Sequence, residues 1–373
     1  MKIQGPIGLS RMLFPIYKNS GINDLMYNKV TDGISHKALM DRMKNEKSIE
    51  IVSPESNYYK IVGLGRSLKK SLGFKAPDFK KCKNVSEMYH LYRRHKINNS
   101  HFLARVGFYI DTEYKILLKA APEIEILPSA LRTFLEEPDN VFMSLNMWDG
   151  IISANERFQK GLEVPNLGKI YPLYGVWSPT NLDFLTLFDS YLQSKSFRGT
   201  AVDLGCGTGV LGMMLATKGM TSFGVDNNFQ AAKSANLNAQ KLGLNFTAVH
   251  GDAETIALPN CDIIVCNPPW IPGKPSSGLD SGNFDPDEKL LQACFVQSKK
   301  KLENNGKLLL IYSDLACNFG LQVKGRVEDL CVEHGMVIRN VLEKPFPISL
   351  DYKDPFKKVK DESKIFLYEI NRL

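Results

Sequence analysis

Two short stretches hold residue types that could do chemistry. The first is AVDLGCGTG, Ala201 to Gly209. An apolar run delivers Asp203, and Gly205, Gly207 and Gly209 then let the backbone pass close to a ligand before a helix begins. A dinucleotide fingerprint, G-x-G-x-x-G/A, needs a small third residue so that helix and strand can pack closely. Val210 holds that position here, which argues against a nicotinamide dinucleotide. The second stretch is CDIIVCNPPWIPG, Cys261 to Gly273. Small and branched apolar residues end at Asn267, Pro268 and Pro269 fix the next backbone positions, and Trp270 follows. In isolation this is either a stiff turn around a buried Trp or a holder for something flat.

The G-x-G-x-G spacing, with an acid two residues before the first glycine, resembles motif I of class I methyltransferases that use S-adenosylmethionine. The resemblance implies further contacts. Asp226, at the end of SFGVD, would accept both ribose hydroxyl hydrogens, because a carboxylate offers the paired acceptors a vicinal diol needs. Asp252, in HGDA, would accept from the adenine amino group, with the Ala253 backbone N–H toward a ring nitrogen. Each acid alone reads as a turn or helix-cap residue. Three acids at the carboxyl ends of successive strands are not explained by capping, and ligands of open α/β sheets bind at that edge. The implied donor-binding set is Asp203, Gly205, Cys206, Gly207, Thr208, Gly209, Asp226, Asn227, Asp252, Ala253 and Asn267, with Thr180 from the preceding segment.

Asn267-Pro268-Pro269-Trp270 resembles the (D/N)PP(Y/F/W) motif IV of methyltransferases that modify a nitrogen in a planar group. Those targets are exocyclic amino groups of bases or the side-chain amide of glutamine. Such a nitrogen is a poor nucleophile, because its lone pair is delocalised. The Asn267 side-chain oxygen and the Pro268 carbonyl would each accept one N–H, which holds the nitrogen and favours its pyramidalisation. Trp270 would stack on the planar target. No metal or general base is required. YPLYGVWSPTNLDFL, Tyr171 to Leu185, resembles the segment that covers the methionine end of the donor in the methyltransferase small-domain group, with Trp177, Ser178, Pro179 and Thr180 as contacts. IPGKPSSGLDSGNFDPDEKLL reads as a substrate loop whose Asp285 and Asp287 cap the next helix.

The elements that must position these residues alternate strand and helix. TAVDL, SFGVD, FTAVHGD, CDIIVCN and KLLLIYSD read as strands, with MVIRNVLEK and KIFLYEINRL as a closing pair. VLGMMLATKG, FQAAKSANLNAQKLG and DEKLLQACFVQSKKKL read as the helices between them. A parallel sheet wrapped by helices follows, a Rossmann-like seven-stranded methyltransferase domain over residues 166–373. Residues 1–165 read as a mixed α+β accessory domain for substrate recognition, with the junction in Gly161 to Ile170. Their first hundred residues look mainly helical and irregular. FLARVGFYID and EYKILLKA suit strands, and PSALRTFLEEP a short helix.

Charge separates the two halves. Residues 1–170 carry 26 Lys+Arg against 18 Asp+Glu within a chain of net charge +7. The densest run, Lys69 to Lys96, interleaves Phe74, Phe79, Tyr89 and Tyr92, a pattern that could track phosphates and stack on bases or form a solvated helical face. The seven cysteines show no CxxC or Cys/His metal spacing and read as reduced thiols of a cytoplasmic protein. No stretch approaches a membrane span. The expected partner is therefore RNA or a ribonucleoprotein bound through the basic half, with a protein glutamine as the alternative. A small-molecule amine, or a non-catalytic binding scaffold, stands behind both. Release-factor glutamine methyltransferases share NPP(Y) and a preceding helical domain but are usually shorter than this chain. Ribosomal RNA guanine-N2 methyltransferases share the chain length and an extra N-terminal domain but normally carry NPPF and a degenerate first copy. Residues 1–165 show no ghost of motif I, since IVGLG is too weak, so the chain departs from both patterns.

Overall fold

The computed structural model describes residues 26–73, 76–132, 140–179, 182–275, 282–347 and 354–373. The chain forms two compact units that divide between Glu156 and Arg157.

In the N-terminal unit the order is β1 (Met26–Val30), α1 (His36–Asn45), β2 (Ser48–Val52), α2 (Tyr58–Gly73), α3 (Val85–Leu103), β3 (Val106–Ile110), α4 (Leu127–Leu131), β4 (Val141–Ser144) and α5 (Leu145–Lys160), which runs across the division. The four strands make one sheet in the order β1-β2-β3-β4, with the first three parallel and β4 antiparallel. Two strands therefore lie where helix and irregular chain were expected. β2 escapes detection because SIEIV carries a glutamate into a buried strand. Glu50 is fully buried, and its carboxylate is held by Arg42, by the Ser48 hydroxyl at 2.7 Å and by Asn28 at 3.2 Å. Paired in this way, a buried charge is tolerated. EYKILLKA is not a strand; it contributes two isolated bridges, Ile116 with Ile110 and Lys119 with Asn57. FLAR ends α3 and turns into β3. PSAL lies in α4, and the rest of that expected helix falls largely outside the described residues.

The C-terminal unit opens with a hairpin, β5 (Leu162–Val164) and β6 (Gly168–Ile170), whose Val164 and Ile170 enter the core. Then come α6 (Asp183–Gln193), β7 (Thr200–Leu204), α7 (Val210–Thr217), β8 (Thr221–Asp226), α8 (Phe229–Leu242), β9 (Phe246–His250) and β10 (Cys261–Cys266). They are followed by the short β11 (Ile271–Pro272) and β12 (Phe284–Asp285), α9 (Lys289–Lys301), β13 (Leu302–Ser313), α10 (Leu315–Asn318), α11 (Arg326–His334), β14 (Met336–Pro345), α12 (Lys357–Asp361) and β15 (Lys364–Arg372). The seven long strands order as β14-β15-β13-β10-β7-β8-β9. All neighbours are parallel except β15, which runs antiparallel to both β13 and β14, so the expected closing pair is present. Register shifts between Ile338 and Asn340 put a bulge in β14.

Two cores flank this sheet. Apolar residues of α6, α7 and α8 cover one face, and those of α9 and α11 cover the other. The central strand β10 buries Ile263, Ile264, Val265 and Cys266 in succession, as a strand covered on both faces must. Chain order reverses between β7 and β10: β7, β8 and β9 run outward one way, and β10 and β13 the other. That switch point, at the carboxyl ends of the strands, is where an α/β sheet opens a crevice.

Candidate active site

Cys266 of β10 pairs with Leu204 of β7, so Asn267 and Gly205 leave the sheet side by side. The crevice there is a cavity of about 660 Å³, within the range of small-ligand sites. It is lined by Asp203, Gly205, Cys206, Gly207, Thr208, Asp226, Asn227, Asp252, Ala253 and all four residues from Asn267 to Trp270. Gly209 is not among the lining residues, and Thr180 falls outside the described residues. Trp177 and Pro179 line the cavity, and Ser178 does not.

The glycine turn is clamped to the next strand. The Gly205 and Cys206 N–H groups both donate to the Val225 carbonyl, at 2.8 and 3.0 Å, and the Gly209 N–H donates to the Cys206 carbonyl at 2.7 Å. Gly205, Gly207 and Gly209 all have positive φ, which side chains resist. Their surroundings differ. A Cβ on Gly205 would stand 2.6 Å from Leu290, and one on Gly209 would stand 3.0 Å from Ala235. A Cβ on Gly207 would meet nothing nearer than the Trp177 carbonyl at 3.6 Å. The Gly207 face is thus a cradle that a side chain would fill, at the point where a ligand backbone must pass.

The three acids do not share the strand-end position that the sequence suggested. Asp203 sits inside β7, 1% exposed, and its carboxylate accepts the Gly212 N–H at 2.9 Å, which fastens α7 to the strand. Burial raises its pKa from 3.8 to about 7; the Gly212 N–H lowers it and Asp226 adds repulsion. Asp226 does end β8. It accepts the Gly207 N–H at 2.8 Å on one oxygen and the Asn228 N–H at 2.8 Å on the other, and burial also raises its pKa. Asp252 lies two residues beyond β9, exposed, and accepts the Glu254 N–H at 2.8 Å, so it shapes a turn on the rim. Asp285 caps α9 as expected, by accepting the Leu290 and Leu291 N–H groups at 3.1 and 3.0 Å. Asp287 does not cap. It has a left-handed backbone, and its carbonyl accepts from Gln292 at 3.1 Å. Part of the expected substrate loop, 276–281, lies outside the described residues, while its flanks pair as β11 and β12.

The Asn267 side-chain oxygen accepts the Trp270 indole N–H at 2.9 Å. Trp270 is half-buried, packs against both cores, and meets the Phe346 ring edge-on at 6.0 Å. Phe346 lines the same cavity and widens the apolar wall beside Asn267.

Sequence reading missed the polar stripe of α8. Gln230, Ser234 and Asn238, four residues apart, are all buried. Asn238 accepts the Tyr171 N–H at 2.7 Å and donates to the Thr208 carbonyl at 3.1 Å, while the Ser234 hydroxyl accepts the Leu173 N–H at 3.3 Å. Asn228 donates to the Gly175 carbonyl at 2.8 Å. One helix thus holds the covering segment against the glycine turn. The four-residue spacing was the signal available, since a buried polar row on a helix needs partners.

The cavity suits S-adenosylmethionine by its chemistry: an open glycine face, a two-oxygen acceptor at a strand end, and anionic groups for a sulfonium cation. A family model for the methyltransferase small domain matches residues 168–321. A ribosomal protein L11 methyltransferase of Campylobacter fetus is 27% identical over 34% of this chain and 54% of its own length. A ribosomal RNA small subunit methyltransferase C of Mannheimia succiniciproducens is 31% identical over 32% of this chain and 37% of its own. The chain therefore spans about half or less of these relatives. A crystal structure of the ribosomal protein L11 methylase of Lactobacillus delbrueckii aligns over 53% of this chain and 82% of that one, at 14% identity and a TM-score of 0.37. The seven-stranded unit that carries this site thus resembles the class I S-adenosylmethionine-dependent methyltransferases, and its residues 168–321 match the methyltransferase small domain.

Proposed function

We propose that the chain is an N-methyltransferase whose target is the exocyclic amino group of a base in structured ribosomal RNA. The N-terminal unit, up to Glu156, is the recognition domain and the unit from Arg157 the catalytic one, a boundary a few residues before the junction expected from the sequence. The observation that carries this reading is the adjacency of Asn267 and Gly205 at the switch point, where an amide acceptor and a donor-binding turn share one cavity. S-adenosylmethionine supplies an electrophilic methyl group carried on a sulfonium. The chain's own residues bind and aim. Gly207 gives backbone access, Asp226 takes the ribose hydroxyls, and Asn267 with the Pro268 carbonyl accepts the two hydrogens of the target nitrogen. That nitrogen keeps its lone pair for attack, and the product cation loses its proton to solvent.

RNA is favoured by the relatives named for ribosomal RNA and by the charge of the first 170 residues. The start of the basic run is already paired, because Lys69 lies 2.6 Å from Asp149, which Arg66 just before the run also approaches at 3.8 Å. Lys80, Lys81, Arg94 and Lys96 are exposed. The relative named for ribosomal protein L11 favours a second reading, a protein acceptor. No helix among the described residues is long and apolar enough to cross a membrane.

Incubation with radiolabelled donor and, separately, total RNA, ribosomal subunits or cell protein decides between them. Label in a base of RNA supports the proposal. Label in glutamine replaces the acceptor, and no transfer to any fraction overturns the enzymatic reading.

A further inference from the structure

We infer that Trp270 orients Asn267: its indole N–H holds the amide oxygen, and not the amide nitrogen, toward the target. This inference rests on the N-methyl transfer reading above. An asparagine has two ends of nearly equal size and opposite character, one acceptor and one donor. Only the oxygen can receive a target N–H; the amide nitrogen in its place would set donor against donor. Something must therefore choose the rotamer before the target arrives. The two residues that follow cannot do so from their backbone, because Pro268 and Pro269 have no N–H.

Trp270 can. An indole nitrogen is a donor only, so its partner must be Oδ1, which it meets at 2.9 Å. The donor is itself immobilised. The ring packs against both cores and is braced edge-on by Phe346 at 6.0 Å and 71°. An acceptor oxygen has two lone pairs, so one can serve the indole while the other remains for the substrate. Reversing the amide would face its NH2 group with the indole N–H and strand both. A tyrosine or phenylalanine ring at this position would offer the same flat face without this N–H.

Two experiments test the assignment. The first is a double-mutant cycle on methyl transfer to total RNA, ribosomal subunits and cell protein, with donor affinity followed by calorimetry. Trp270→Phe keeps a ring and removes the N–H; kcat should fall about tenfold with donor affinity unchanged. In an Asn267→Asp background both carboxylate oxygens accept and no wrong rotamer exists, so the same Trp270→Phe change should cost less than about twofold. Equal losses in both backgrounds, or no loss in the first, would overturn the inference.

The second needs no acceptor and decides the matter if Asn267→Asp is inactive. Amide and indole hydrogen exchange by NMR, with the Trp270 signal assigned by its loss in Trp270→Phe, should show the indole N–H protected in the wild type. Protection should fall at least about tenfold in Asn267→Ala, and unchanged protection refutes the bond. If Asn267→Ala keeps wild-type turnover while the exchange result holds, the catalytic reading has failed and the orienting contact has not.

Discussion

The Gly207 N–H donates to the Asp226 carboxylate at 2.8 Å, so the glycine turn and the acid at the end of β8 form one unit. The other oxygen takes the Asn228 N–H at the start of α8. Any change at Asp226 therefore alters the turn as well as the acceptor.

Asp226→Ala should weaken S-adenosylmethionine binding about 100-fold, since hydrogen bonds to a charged acceptor contribute roughly 1.5–3 kcal/mol each. Asp226→Asn keeps one acceptor oxygen and should fall between. Titration calorimetry measures both; wild-type affinity in the alanine variant would remove Asp226 from the donor site.

Two glycines should respond in opposite ways to the same methyl group. Gly207→Ala places Cβ in open space on the cavity wall at φ +53, which costs about 1 kcal/mol of strain. Donor affinity should drop at least about tenfold with only a small change in the unfolding midpoint. A Cβ on Gly212 would stand 2.4 Å from the Phe246 ring and 3.1 Å from the Asp203 Cβ. Gly212→Ala should therefore destabilise the fold by roughly 1–3 kcal/mol, as read by denaturant unfolding.

Asp203 gives the site a pH dependence. Its folded carboxyl titrates at about 7 against an ordinary 3.8, because burial penalises the charge. Between those values the native state holds a proton that the unfolded chain releases, so this group's contribution to stability declines as pH rises from about 4 to about 7. Asp203→Asn should flatten that decline. A bound sulfonium favours the ionised form, so preference for S-adenosylmethionine over neutral-sulfur S-adenosylhomocysteine should grow as pH rises through 7. Competition binding at pH 6 and 8 checks it, and a constant ratio would exclude Asp203 from sensing the donor.

Asn267→Ala should reduce kcat by at least about 100-fold, the scale seen when an aimed polar partner of a transition state is removed. Donor affinity should stay within about threefold. Single-turnover kinetics alongside calorimetry separates the two effects, and retained turnover would refute the acceptor role.

If the N-terminal unit follows RNA phosphates, Lys80, Lys81 and Arg94 changed together to Ala should lower the slope of log K against log salt by about 2 to 3. Filter binding across a salt series reads this directly. An unchanged slope would assign those side chains to a merely solvated surface.

The catalytic half was legible in the sequence because its strands are apolar on both faces and its turns are marked by glycine. β7, β8, β10 and β13 lie where those runs are, and Asn267 follows β10 as its proline pair suggested. Legibility failed where polarity was paid for elsewhere in the fold. Glu50 hides β2 because its charge is balanced by Arg42 on α1 and its carboxylate is hydrogen-bonded by Asn28 on β1, partners that only the folded sheet brings together. The α8 stripe reads as solvent-facing until its partners at Tyr171, Leu173 and Thr208 are in place. Asp203 lines the cavity, and its second task, fastening α7, depends on Gly212, which no motif marks. The Trp270–Asn267 bond lies within a tetrad read as two separate devices.

The bulge in β14 has a consequence for how the enzyme behaves in a crowded solution. β14 is the outer strand of the seven, where unpaired backbone groups invite another chain to add on. Among its exposed residues Arg339, Asn340 and Glu343 are polar and Val341 is apolar, its ladder is interrupted between Ile338 and Asn340, and it ends at Pro345. Charge, kink and proline together make this border a poor template for aggregation. That flank of the sheet is therefore an unfavourable place for a second copy to add a strand.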